Sequence, residues 1–197
     1  MTKTNYLKNI KDVNFSVSTD ADSYLNLNHS NEIELLNICG GIPEDGMDQI
    51  FLEVEYKYAT NSLFISSDTL LYEIERELFW RDKFINNKLL KVFSTGQGTG
   101  TIILINEIIQ ARKLGINHLK VSAAKSNYFC GYYTWARLGY SIDSSEDQKE
   151  FDELINDHGR NEKSMIELME TKDGRDFWKA NGFWWEGIFD MANGSEN

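Results

Sequence analysis

Cysteine, histidine, proline and positive charge are all scarce in this 197-residue chain. Its two cysteines, Cys39 and Cys130, are too few for a disulfide framework or a Cys-rich metal site. His29, His118 and His158 lie far apart without ligand spacing, so no metal site is expected. Lys and Arg number 20 against 31 Asp and Glu, a formal charge of −11. So acidic a surface repels nucleic-acid phosphates and anionic lipid, which argues against either as a partner. It suits a cationic substrate, or simple solubility. No apolar run reaches the length of a membrane span; residues 102–109 are interrupted by Asn106 and Glu107. The start, Met1-Thr2-Lys3-Thr4-Asn5-Tyr6, has no apolar core and does not read as a secretory signal. A cytoplasmic protein is the expectation.

What is present is a folding composition: 41% hydrophobic and 13% aromatic residues. The length suits a single domain over 1–197, with an N-terminal arm (1–48), a core (50–142) and a C-terminal extension (143–197). The arm is rich in Asn, Ser, Asp and Thr. It is expected to be loosely ordered, with a short strand around 13–17 and a helix over 32–38 that Asn31 caps. Residues 40–48, which hold the only proline, Pro43, read as a loop. Residues 50–58 alternate, with Phe51, Glu53, Glu55 and Lys57 on one side and Ile50, Leu52, Val54, Tyr56 and Tyr58 on the other, the pattern of a half-buried strand. A turn at Asn61-Ser62 leads to a strand at 63–65. Residues 69–80 fit either a strand or a helix. The strand is preferred, because Arg81-Asp82-Lys83 and Asn86-Asn87 supply turn chemistry before a further strand at 89–93. These segments form an antiparallel meander.

The run Thr95-Gly96-Gln97-Gly98-Thr99-Gly100-Thr101 follows that last strand. An amphipathic stretch comes next, expected as a helix over 100–114 that buries Ile102, Ile105 and Ile109 and stops at Gly115. Strand, glycine loop and helix together turn backbone N–H groups toward one point and favour an anion there. The bland reading is a tight connection with no ligand. A P-loop is excluded because Gly100 is followed by Thr101-Ile102, and the third glycine of a dinucleotide fingerprint is missing at Ile103. A buried strand over 118–124 then reads as parallel to 89–93, through a right-handed crossover. Farther on, Ser145-Glu146-Asp147-Gln148 reads as a capping box opening a helix with Phe151, Leu154 and Ile155 inward. A second helix is expected over 161–171 and a final aromatic strand over 183–191. The aromatics of that region read as core packing or as the roof of an acceptor pocket.

Several of these features together resemble the GCN5-related N-acetyltransferases. The resemblance rests on Gly96-Gln97-Gly98-Thr99-Gly100, the helix end Ala111-Arg112-Lys113-Leu114-Gly115, the strand Leu119-Lys120-Val121-Ser122, Asn127, and Arg137-Leu138-Gly139-Tyr140. It covers about residues 50–142. Two positions depart from the family pattern: Thr95 stands where the family has Arg or Gln, and Trp135 where it has Tyr, so a divergent subgroup is implied. The implied fold is α/β, with a mixed, splayed central sheet flanked by helices and a C-terminal helical and aromatic-strand extension. The implied activity moves an acetyl or other acyl group from acyl-CoA to an amine on a small molecule or peptide. Acetyl-CoA would be held by Phe93, Thr95, Gly96, Gln97, Gly98, Thr99, Gly100, Thr101 and Asn127. Its pantetheine arm would lie between strands 89–93 and 119–124. The leaving thiolate needs an acid, Tyr133 or else Tyr132, and the amine needs a base such as Glu75, Glu73 or Glu77. Cys130 is expected as a buried structural thiol. Edge strands often pair in this fold, so a homodimer is possible. A non-catalytic binding protein with the same fold is the alternative.

Overall fold

The computed structural model describes residues 13–27, 30, 32–40, 50–69, 72–93, 98–126 and 130–191. The chain is a mixed α/β protein with eight strands and seven helices among those residues. It divides into two compact units, Met1–Asn117 and His118–Asn197. No helix among the described residues is long and apolar enough to cross a membrane.

In the first unit, β1 (Val13–Val17) runs parallel to β2 (Ile50–Lys57). Strands β2, β3 (Ser62–Asp68), β4 (Tyr72–Phe79) and β5 (Phe84–Val92) follow as an antiparallel meander. One face is the core: Leu52, Val54, Leu63, Ile65, Ile74, Leu78 and Ile85 are all essentially inaccessible. Two helices precede β2. The arm is more ordered than its polar composition predicts, because α1 (Thr19–Leu27) follows β1. The Ser18 hydroxyl accepts from the Ala21 N–H at 3.2 Å, and Ala21 and Leu25, four apart, are buried. Helix α2 (Glu32–Ile38) lies where expected and buries Leu35, Leu36 and Ile38; its expected cap Asn31 and, apart from Gly40, the expected loop 40–48 lie outside the described residues.

Asn86-Asn87 is not a turn. Both residues lie inside β5, where a bulge sets Glu75 opposite Leu89 but Arg76 opposite Asn87, leaving Lys88 as the extra residue. Before the bulge Ile85 and Asn87 share the inner face; after it Leu90 and Val92 do, opposite Ile74 and Tyr72. The change of parity hides the strand from a period-two reading. The turn lies at residues 80–83, as expected from Arg81-Asp82-Lys83, and Lys83 has φ 59°.

Helix α3 (Thr99–Lys113) is rotated from the expected face. Ile103, Leu104, Glu107, Gln110 and Ala111 are buried, whereas Ile105 and Ile109 are half exposed. Residues 102–109 are apolar nearly all round, so hydrophobicity leaves the facing side open. Polar contacts decide it. Glu107 meets Arg76 of β4, and Asn106 donates to the Gly40 carbonyl at 2.5 Å. At Gly40, φ is +100° and an added Cβ would lie 3.0 Å from Ile103, so α2 can end close against α3 only with glycine there. The helix stops as expected, with Gly115 at φ +69°.

In the second unit, β6 (His118–Ala123) and β7 (Ser141–Ile142) both pair antiparallel with β8 (Trp185–Asp190). Helix α4 (Gly131–Arg137) buries Tyr132, Trp135 and Ala136. Helix α5 (Ser145–Asp157) is capped one residue earlier than expected, by Ser144, which accepts from the Asp147 N–H at 3.3 Å. Asp147 turns inward and accepts from the Glu186 N–H at 2.8 Å. The expected helix over 161–171 is shorter, α6 (Met165–Glu170), because Ser164 caps it. A helix the sequence reading missed follows, α7 (Lys172–Asn181), capped by Thr171. The aromatic residues mostly pack: Trp178 and Trp185 are inaccessible, while Trp184 is half exposed.

Candidate active site

The glycine run is described from Gly98 onward; Thr95, Gly96 and Gln97 lie outside the described residues, as does Asn127. Gly98 is the N-cap of α3, with φ 79° and no side-chain cap. The first helical hydrogen bond runs from the Ile102 N–H to the Gly98 carbonyl at 3.0 Å. The amides of Thr99, Gly100 and Thr101 stand ahead of it, with no i−4 partner among the described residues. No acidic residue sits in this first turn, while Arg112 and Lys113 occupy the last, in the sense that the helix dipole favours. A Cβ at Gly98 would meet nothing within 4 Å, and one at Gly100 only Val92 Cγ2 at 3.9 Å. Among the described residues, only Val92 at the end of β5 therefore comes near the Cβ side of these two glycines. Phe93, just past that strand, is half exposed, with Lys91 Nζ 5.0 Å above its ring.

The three candidate bases lie on one face of β4, as the strand reading requires, and the meander arranges them in rows. Glu73 stands between Asp68 and Lys91, Glu75 between Ser66 and Leu89, and Glu77 between Phe64 and Asn86. Glu53 and Glu55 of β2 extend the acidic face. The three differ in their partners. Glu73 pairs with Lys91 at 3.2 Å. Glu77 accepts from Ser62 at 2.6 Å and Thr60 at 2.9 Å and pairs with Lys88 at 3.2 Å. Burial pushes the Glu77 carboxyl up, but these contacts outweigh it and hold the group below its ordinary range. Glu75 has neither a hydrogen-bond nor an ion-pair partner among the described residues.

Helix α4 carries both candidate acids, in unlike surroundings. Tyr132 is buried. Its hydroxyl donates to the Lys179 carbonyl at 2.7 Å, and its own carbonyl accepts from the Trp178 and Trp185 indoles, each at 3.0 Å. Burial, then the neighbouring Cys130 and Tyr133, raises its phenol above the ordinary value. Tyr133 is half-buried. Arg137 Nη1 lies 3.5 Å from its hydroxyl, and Lys179 Nζ lies 5.9 Å from its ring. Trp135, at the family's Tyr position, is core, packed 5.1 Å from the Tyr140 ring. Cys130 is exposed rather than buried, because it is the N-cap that starts α4, with its Sγ 3.5 Å from Thr134 Oγ1.

A second polar group, on the other face of the meander, was not foreseen. Arg76 and Glu107, 1% and 0% exposed, form an ion pair at 2.9 Å, and Arg76 Nε donates to Asn87 Oδ1 at 2.5 Å. Two signals for it stood in the sequence: an arginine in the inward phase of β4, and a glutamate inside an apolar helix. Among the described residues no group of three or more His, Cys, Asp or Glu side chains is placed to hold a metal ion.

The structure is similar in part to that of nourseothricin acetyltransferase, at 15% identity and a TM-score of 0.35. The likeness covers 42% of this chain and 52% of that one, so this chain spans about half the length of that neighbour. No protein-family model matches the sequence, and no curated protein matches it.

Proposed function

We propose that the protein is an acyl-CoA-dependent N-acyltransferase, acetyl-CoA being the simplest donor, acting on an amine of a small molecule or peptide. The observation that carries this reading is the start of α3. A glycine-capped, acid-free helix terminus beside the end of a strand leaves the Thr99, Gly100 and Thr101 amides without an i−4 partner among the described residues, which suits a pyrophosphate without any lysine. Under this reading Gly98, Thr99, Gly100 and Thr101 hold the diphosphate, with Thr95, Gly96, Gln97, Phe93 and Asn127 assigned to the cofactor by the family resemblance.

Of the two tyrosines, Tyr133 is the better general acid, because the Tyr132 hydroxyl is already committed to a backbone carbonyl. Glu75 is the better base, because Glu73 and Glu77 are held by lysines and hydroxyls. Once the base takes the ammonium proton, the amine attacks the thioester carbonyl, the C–S bond breaks, the acid protonates the departing sulfur, and the second proton that the nitrogen sheds as the amide forms returns to the phenolate so produced. The acidic sheet face favours an acceptor that arrives as a cation.

Thermal-shift and titration measurements with acetyl-CoA, CoA and NAD test the cofactor. Stabilisation by the first two but not by NAD, with thiol release on adding an amine panel, is the expected result. Tyr133→Phe should then lower kcat by about 10²–10⁴-fold while cofactor affinity holds. Stabilisation without thiol release from any amine favours the alternative, a binding protein of the same fold. No shift with acetyl-CoA or CoA removes the reading.

A further inference from the structure

The buried pair of Arg76 and Glu107 joins β4 to α3 nine positions after Gly98, about 13 Å along the helix axis. Hydrophobic packing alone does not choose which side of α3 faces the sheet, since Ile105 and Ile109 are left half exposed while Glu107 and Gln110 go in. Nor is the cluster saturated. Among the described residues Arg76 Nη1 is buried without a hydrogen-bond partner, and neither Glu107 oxygen has a well-directed one despite the short ion pair. A buried pair of this kind adds little to stability compared with apolar residues of the same volume, so its presence points to a geometric role.

We propose that Arg76 and Glu107 are positioning residues: the ion pair fixes the height and rotation of α3 on β4 and β5, and through the helix sets the aim of the Thr99–Thr101 amides. The consequence for cofactor affinity rests on the acyl-CoA reading above; the positioning itself does not. The groups facing Glu107 are Arg76 from β4, Asn87 from β5 and Cys39 at the end of α2. Burial pushes the Cys39 thiol up to about 12, so it stays neutral at every pH of interest. Burial likewise raises Glu107 to about 7, with Arg76 and Asn87 pulling the other way. Protonation of Glu107 thus comes within reach near neutrality, and it removes the attraction that seats the helix.

The test compares wild type with E107Q and with R76M/E107L, which replaces the whole pair by apolar side chains and is expected to fold. In wild type the Gly98 and Gly100 amide NMR resonances should move with a midpoint near pH 7, and in both variants they should not. CoA titrated between pH 6 and 8.5 should bind R76M/E107L at least about tenfold more weakly than wild type. That loss should come with no loss of thermal stability, a separation that a merely structural pair would not give. Any pH dependence shared with E107Q belongs to the ligand. Glycine resonances that ignore pH in wild type, or equal CoA affinity in wild type and R76M/E107L, overturn the proposal. If wild type binds no CoA at all, the cofactor reading fails while the glycine resonances still decide the positioning.

Discussion

Glu77 shows how far one side chain's role depends on residues distant in sequence. Ser62 and Thr60 reach it from the β2–β3 turn region, and Lys88 comes from the bulge in β5. Its carboxyl is held below the ordinary 4.5, so the folded state releases this proton more readily than the unfolded chain. The resulting stabilisation is present above pH 4.5 and is lost as the pH falls through the lower, folded value. Ser62→Ala is expected to lower stability by about 1–2 kcal/mol at pH 7. The difference should shrink toward pH 3, which urea denaturation at the two values measures. A deficit unchanged at pH 3 would mean that Ser62 matters for packing and not for the carboxylate. The row Glu73, Glu75, Glu77 was legible from alternation alone. Which of the three is held, and which lacks a partner among the described residues, was not, because every partner comes from a neighbouring strand or turn.

At the scale of elements, alternation and turn chemistry disclosed β2, β3 and β4, and Gly115 disclosed the end of α3. What they missed shares one cause: a local signal overruled by a contact made elsewhere. Asn86-Asn87 resembles a turn, yet Arg76 draws Asn87 into β5. Glycine is a poor helix former, yet Gly174 lies in the first turn of α7, where an added Cβ would come 2.0 Å from the Leu168 carbonyl oxygen. Glycine is there for the close passage of α6, and its N–H is taken by the Thr171 cap at 2.9 Å. Gly174→Ala should therefore destabilise by about 2–4 kcal/mol, since the obstacle is backbone and cannot rotate away. Gly100→Ala is the counterpart. Among the described residues its new methyl meets only Val92 at 3.9 Å, so stability should hold or rise by up to about 1 kcal/mol. Thermal unfolding of the two variants side by side separates a glycine needed for packing from one that packing does not require. Equal losses would refute the distinction.

Across the whole molecule, 31 acidic residues against 20 basic ones leave a charge of −11, which works against compactness at neutral pH. Salt acts on two opposed terms. It weakens exposed ion pairs such as Lys57–Glu55, Lys91–Glu73 and Lys172–Asp176, which contribute little in water. It also screens the net self-repulsion, whose reach at low ionic strength, roughly 30 Å at 0.01 M, spans a molecule of this size. The acidic rows on β2 and β4, where Glu53, Glu55, Glu73 and Glu75 share one open face, concentrate that repulsion. The buried Arg76–Glu107 pair is beyond the reach of counter-ions and drops out of the comparison. Repulsion should prevail at pH 7, so Tm should rise as NaCl goes from about 20 to 300 mM, with most of the gain in the first 100 mM as the screening length falls to about 10 Å. Near pH 4.7, where the chain approaches neutrality, only the ion-pair term is left and the rise should vanish or reverse. Calorimetry at both pH values measures the two slopes. A Tm that falls with salt at pH 7 would mean that the exposed pairs, and not the unbalanced charge, govern how this fold responds to ionic strength.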